Sequence, residues 1–422
     1  MKKMLRYFKI GYGILLLLML TAWLVRYSML GGNKINPRVE GAILEFAGFP
    51  SKVAYLFKTR GIDLKDRRHI PDSNSRSGIS YYVDTSKLSP GYLLISTFNG
   101  DNEPEIKLLD LKKNIFIKKW DISADTILHY TDNKELERNA IRLMHPLLLK
   151  DSSLIFNTGY SLIKINKTSH VLWSNKKIFH HSIEFNDDTS VWTCGRIVNK
   201  KPLYIVTRKD TLINDAIALV NSNNGKIIFQ KSVYDILNEN GYRYLFAIGN
   251  FENDAFHLNE VNPAKTNAKY WKKGDLLISI RHRSTVFLYR PSANKILWLK
   301  TGPWSNQHSP TFLNDESIMI LGNDMIRSND YAKMLYPSSH IYIYNFKNGA
   351  IDTSFNKVLQ QLKVKALSEG RCDILPNGDV FFCDTNHGKV YIFDRDKLKL
   401  MYCERIDDKH IKMMNLVRYI SK

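Results

Sequence analysis

At 422 residues, 44% hydrophobic and 12% aromatic, the chain has material for one large folded domain or two ordinary ones, which excludes a largely disordered polymer. Its net charge of +20 raises nucleic acid as a partner. The 61 Lys and Arg residues are scattered, however, and no zinc-finger, RNA-recognition or helix-turn-helix signature accompanies them, so no nucleic-acid partner is expected.

Lys2, Lys3, Arg6 and Lys9 precede an uncharged run from Ile10 to Val25, which Arg26 closes. This asymmetry suits a segment that enters a membrane with its amino terminus inside. The apolar character continues through Tyr27, Met29 and Leu30, and no small-x-small cleavage site follows. Both features favour an uncleaved signal-anchor over a cleaved signal peptide, and either one puts the rest of the chain in the periplasm or outside the cell. Residues 1–30 are thus read as a basic cytoplasmic tail and single transmembrane helix. Residues 31–89 are read as a linker or tether, with an apolar patch at Ala42–Phe57 that a short helix would suit and an exposed stretch at Ser73–Ser77.

From residue 90 to 422 one unit recurs. LLDLKKNIFIKKW begins at Leu108, LIKINKTSHVLW at Leu162, IALVNSNNGKIIF at Ile217, VFLYRPSANKILW at Val286, IYIYNFKNGAI at Ile341 and VYIFDRDKLKLMY at Val390, at intervals of 49 to 69 residues. Each copy alternates with period 2 about a Gly-, Asn- or Lys-rich turn, which predicts a hairpin. A further strand precedes each one, for example Gly91–Ser96 and Gly378–Phe382. Units of about 50 residues with three or four strands each predict an all-β fold, a six-bladed β-propeller whose closure removes exposed sheet edges.

The four cysteines, Cys194, Cys372, Cys383 and Cys403, include no CxxC pair and suggest no zinc. Cys372 and Cys383 flank the turn Pro376-Asn377-Gly378-Asp379, and a disulfide or two buried thiols both fit that spacing.

The histidines share one phase of the repeat. His145, His181 and His308 lie 8 or 9 residues before the strands that begin at Ser153, Ser190 and Glu316, and His257 precedes the strand at Gly274 by way of a polar insertion. Arg371 holds the same phase in the sixth unit. Rotation about a propeller axis would bring such positions together at the channel mouth. Arg281, next to His282, Arg283 and Ser284, adds a guanidinium suited to an oxyanion. Histidines with arginine, lacking a Ser/His/Asp set or paired carboxylates, suggest transfer of a charged tetrahedral group such as sulfuryl or phosphoryl. No metal or other cofactor is called for.

These residues resemble the arylsulfotransferase family of the bacterial, PAPS-independent type. The resemblance covers residues 90–406 and rests on His180-His181-Ser182-Ile183, His257-Leu258-Asn259, Ser279-Ile280-Arg281-His282-Arg283-Ser284, Gln307-His308 and Leu375-Pro376-Asn377-Gly378-Asp379. It implies a six-bladed propeller that moves a sulfuryl group from an aryl sulfate donor to a phenolic acceptor through a sulfated histidine. By position, His308 would be the nucleophile, His257 and Arg281 would hold the sulfuryl oxygens, and His181 would be donor ligand or acid/base. His180, Asn259, His145 and Arg371 would contact substrate. The chain departs from the family in the insertion Asn262–Lys273 and in Ser309, where Asp is expected. A non-catalytic anchored propeller that binds an envelope glycan or protein is the alternative.

Overall fold

The computed structural model describes residues 2–29, four isolated positions between 39 and 46, and residues 69–101, 103–132, 136, 138–198, 213–248, 253–326 and 333–422. The chain divides into two compact units, Met1–Arg67 and Arg68–Lys422.

In the first unit, Lys2–Met29 forms one helix. Its segment Lys9–Tyr27 is long and apolar enough to cross a membrane, a property it shares with signal sequences. Most of the apolar patch expected at Ala42–Phe57 lies outside the described residues.

The second unit is a six-bladed β-propeller. Each hairpin read from the sequence lies in an antiparallel sheet next to the strand that precedes it, and in blades 1 to 5 it is the outer pair of a four-stranded sheet. The innermost strands of blades 1 to 6 are Leu416–Ser421, Met144–Leu148, Phe179–Phe185, Leu258–Pro263, His308–Asn314 and Arg371–Ile374. They touch one another in a closed ring.

Alternate residues on a strand face opposite sides of its sheet, so each blade can bury one apolar face against the blade before it and one against the blade after it. Apolar clusters fill all six interfaces. Trp120, Phe156 and Ile163 lie between blades 1 and 2, Trp192, Ile278 and Phe287 between blades 3 and 4, and Trp304, Ile320 and Val286 between blades 4 and 5. The same alternation decides the cysteine question. Cys372 pairs with Phe382, and Cys383 pairs with Arg371. The two thiols therefore face opposite sides of blade 6, in different clusters, and all four cysteines are free and buried.

Two details of closure are absent from the repeat pattern. Leu416–Ser421 returns to the axis and pairs with Gly91–Phe98, so the last strand of the chain completes the first blade. Segments read as linker also join the sheets. Gly78–Tyr81 adds a fifth, outermost strand to blade 6, and His69–Pro71 pairs with His410–Lys412. Short runs such as HIP and GISY carry too little alternation to be read as strands alone, and their partners lie more than 300 residues away.

Deleting residues 416–422 should abolish the cooperative thermal transition, because it opens the ring and strips the inner edge of blade 1. Deleting residues 69–81 should lower the midpoint but leave one transition. Thermal melts followed by circular dichroism check both.

Candidate functional site

Inner strands enter the ring through an irregular first turn. His145, His181 and His257 have φ of 50°, 54° and 53°, and Ser309 has φ of 49°. The strand register shifts at the same places, between Met144 and Leu147, His180 and Ile183, Leu258 and Glu260, and His308 and Thr311. A left-handed residue in a bulge takes a side chain out of the sheet's alternation and re-aims it. In blades 2 to 4 the re-aimed residue is the histidine. In blade 5 it is Ser309, so His308 stands one residue earlier in the turn, as His180 does in blade 3.

These turns gather the imidazoles. Ring centroids lie 6.4 Å apart for His145 and His181, 5.0 Å for His180 and His181, and 4.9 Å for His181 and His257. His282, not assigned a role by sequence, stacks on His257 at 4.4 Å. Burial, followed by the charge of neighbouring histidines, pushes the His181 imidazole well below its usual range. Burial and then Arg418 and Arg371 do the same to His145.

His308 is held most firmly. Its Nδ1 lies 2.6 Å from Asn323 Oδ1, and the Asn323 amide nitrogen donates to the carbonyls of Ala366 and Glu369 at 2.7 and 3.1 Å. With its NH2 committed to carbonyls, Asn323 presents only its oxygen, so His308 Nδ1 must be the donor. The Nε2 lone pair is then exposed to the site, and that atom is buried with no hydrogen-bond partner. Burial, with the Arg281 charge second, lowers the His308 pKa to about 3, which leaves the ring neutral at ordinary pH.

Three more side chains orient their neighbours. Asp254 Oδ2 accepts from His257 Nδ1 at 2.5 Å. Burial alone would raise the Asp254 pKa, but the His257 hydrogen bond and nearby positive charge hold it at about 2. His282 Nδ1 donates to the Asp254 carbonyl at 2.6 Å, so its Nε2 accepts from Arg281 Nη1 at 3.2 Å. On the other side, Asp215 lies 3.4 Å from His180 Nε2, and His180 Nδ1 is 2.8 Å from His181 Nδ1. Asp215 faces His180 Nε2 without a hydrogen bond, and one of the two Nδ1 atoms donates to the other.

Asn259 serves as a strut. Its amide nitrogen donates to the Gln307 carbonyl at 2.7 Å and ties blade 4 to the residue before His308. Asn157 makes the matching bond to the His181 carbonyl at 2.7 Å. Asp215, Asp254, Asn157 and Asn323 were invisible to the sequence reading because they sit off the histidine phase. A signal did exist for the last two: Asn157 ends the second strand of blade 2 and Asn323 immediately follows that of blade 5.

Arg371 belongs to a different layer. Its Nη1 binds Glu184 Oε1 at 2.8 Å and its Nε binds Asp373 at 2.8 Å, so it is committed to carboxylates. Arg418 binds the same Glu184 oxygen at 2.8 Å. Glu184 and Glu260 each lie three residues beyond the left-handed histidine of their strand, about 10 Å further along it. Burial would raise the Glu184 pKa, but the two arginines hold it at about 2. Glu260 is pushed the other way, to about 8, by burial and then by the Glu184 charge. Beyond this layer, the far ends of the inner strands open on a cavity of about 320 Å³ lined by Glu184, Asn262, Lys265, Thr311 and Arg371.

Asp254, His257 and His282 are also the one group among the described residues whose ligand atoms lie close enough to share a metal ion, within 4.8 Å of one another. Sequence spacing does not suggest it, because Asp254 stands off the histidine phase. In the present arrangement both Nδ1 atoms are spent on Asp254.

A carboxyl that stays protonated to about pH 8 when folded, against an ordinary 4.5, favours folding fully below 4.5 and loses that contribution as pH rises to 8. Glu260→Gln should therefore match the wild-type melting temperature near pH 5 and exceed it increasingly toward pH 8. Parallel melting curves across that range would contradict the assignment.

Compared with known proteins, residues 145–404, more than half of the chain, match the arylsulfotransferase (ASST) family. No curated protein matches the sequence. Among solved structures, a protein of unknown function from Bacteroides caccae is similar over 79% of this chain and 100% of its own, at 13% identity and a TM-score of 0.48. The Pan2 WD40 domain of Neurospora crassa is similar over 80% of this chain and 88% of its own, at 10% identity and a TM-score of 0.42. Virginiamycin B lyase from Staphylococcus aureus covers 77% of this chain and 88% of its own, at 10% identity and a TM-score of 0.40. At these scores the solved structures bear on neither fold nor chemistry.

Proposed function

Because the chain belongs to the arylsulfotransferase family, we propose that it transfers a sulfuryl group from an aryl sulfate to a phenolic acceptor in two steps through His308. The observation that carries the proposal is the His308–Asn323 pair, which leaves a neutral ring with a buried, unpartnered Nε2.

In the first step the Nε2 lone pair attacks sulfur. The N–S bond forms as the S–O(aryl) bond breaks, and the electron pair leaves with the phenolate. In the second step the acceptor oxygen attacks sulfur, the N–S bond breaks, and the pair returns to Nε2. The charge that develops on the sulfuryl oxygens faces Arg281 and His257, whose ring Asp254 holds in place. His181 takes the acceptor's proton on Nε2, with His180 and Asp215 behind it to receive or balance that charge. Asn259 acts through the backbone of His308 rather than on substrate, and Arg371 acts through Glu184. His145, neutral and at the edge of the cluster, contacts the donor.

We further propose that Lys9–Tyr27 is an uncleaved signal-anchor with its amino terminus inside, so that the propeller works on the outer side of the membrane. The basic residues ahead of the helix support this orientation.

Purified protein should release nitrophenolate from 4-nitrophenyl sulfate when a phenol is supplied, with ping-pong kinetics. His308→Asn should fall to background, and Arg281→Met should lose roughly 10²–10³ in kcat. No acid limb attributable to His308 should appear between pH 8 and 5, since its pKa is about 3. Absence of release by the wild type, or unchanged release in His308→Asn, would refute the proposal.

A further inference from the structure

The outermost strand of blade 1, Ile115–Asp121, ends its sheet with no strand beyond it among the described residues. In blade 6 the corresponding edge is covered by Gly78–Tyr81. Edge strands are ordinarily kept polar, since exposed apolar edges invite association. Here three successive large apolar residues are open to solvent, Ile115 at 51%, Phe116 at 49% and Ile117 at 46%. The outer strands of blades 2 and 3 each show one such residue, Leu172 and Ile228.

Charge completes the pattern. The segment reads Lys112-Lys113-Asn114-Ile115-Phe116-Ile117-Lys118-Lys119. Lys119 is spent on Glu105 and Asp121, each at 3.1 Å. Lys112 and Lys113 extend the strip into the exposed hairpin turn, and Lys118 lies over the Trp120 ring at 5.6 Å. A short apolar strip bracketed by lysines complements a bilayer with anionic headgroups, where apolar side chains enter the acyl boundary and cations meet phosphates. The same chain carries a helix apolar enough to cross a bilayer, and the 39 residues between Met29 and His69 reach at most about 140 Å. With that helix as the anchor proposed above, on which this inference rests, a lipid surface comes within reach of the propeller.

We propose that this edge of blade 1 rests on an anionic lipid surface, with Ile115, Phe116 and Ile117 entering the headgroup boundary and Lys112, Lys113 and Lys118 facing lipid phosphates. The contact is separate from the axial site and would hold whether or not that site transfers sulfuryl groups.

The four native cysteines are buried, so a single exposed cysteine can be labelled selectively. Full-length Ile117→Cys and Ile228→Cys carrying an environment-sensitive fluorophore would be reconstituted into phosphatidylcholine vesicles with and without phosphatidylglycerol. The expected result is a blue-shifted emission at position 117 in the anionic vesicles alone, lost in Lys112→Ser/Lys113→Ser, with no shift at position 228. In the unlabelled wild type, amide hydrogen exchange over 112–119 should slow in the anionic vesicles. Equal emission at the two positions, or exchange that does not depend on lipid charge, would overturn the proposal and leave the lysines as guards of an exposed edge.

Discussion

The axial site depends on one backbone constraint, the left-handed turn with which four consecutive inner strands begin. His145, His181, His257 and Ser309 all take φ near 50°, a conformation that costs an L residue with a Cβ about 1 kcal/mol or more. The ring makes this tolerable, because neighbouring blades bond to the backbone at these turns. Asn157 holds the carbonyl of His181, Asn259 that of Gln307, and Ser309 Oγ binds the Cys372 carbonyl at 3.3 Å. The propeller thus uses blade-to-blade hydrogen bonds to keep several imidazoles at one mouth of one channel.

That crowding sets the chemistry. Imidazoles packed together out of water cannot all carry protons, so His145, His181 and His308 are driven toward the neutral form. A neutral ring is useful as a nucleophile only if its free nitrogen is aimed correctly, and Asn323 supplies the aim. The positive charge the site needs comes from Arg281, whose guanidinium does not lose its proton on burial. The layer below balances its own charge, with Glu184 between Arg371 and Arg418, Asp373 on Arg371 and Glu260 held neutral. It lies further along the same inner strands and pairs each of its arginines with a carboxylate.

Much of this was legible in the sequence, for a physical reason. Strand alternation repeats with the blades, so the outer hairpins and their neighbours could be read one by one. Histidines at one phase must converge once the ring closes, and His145, His181 and His257 do. The reading stopped where information was not periodic. Leu416–Ser421 and Gly78–Tyr81 find partners hundreds of residues away, and nothing local marks that pairing. Arg371 shared the phase but met Glu184, which the phase argument did not weigh. Asp215, Asp254 and Asn323 act by touching a histidine of their own blade, and strand alternation does not encode which side chains meet at the strand ends. Ser309 stands where the family resemblance led to Asp. In this chain it fills the left-handed position of blade 5, and its side chain serves the backbone of blade 6.

The central claim is that His308, fixed by Asn323, becomes covalently sulfated. The direct measurement is intact-protein and peptide mass spectrometry after brief exposure to 4-nitrophenyl sulfate without an acceptor, quenched at alkaline pH to preserve an N–S bond. The account predicts the added mass of one SO3 group on the peptide containing His308, removed when a phenol is supplied. A burst of nitrophenolate with no modified peptide, or with the group on His257 or His181 instead, would contradict it.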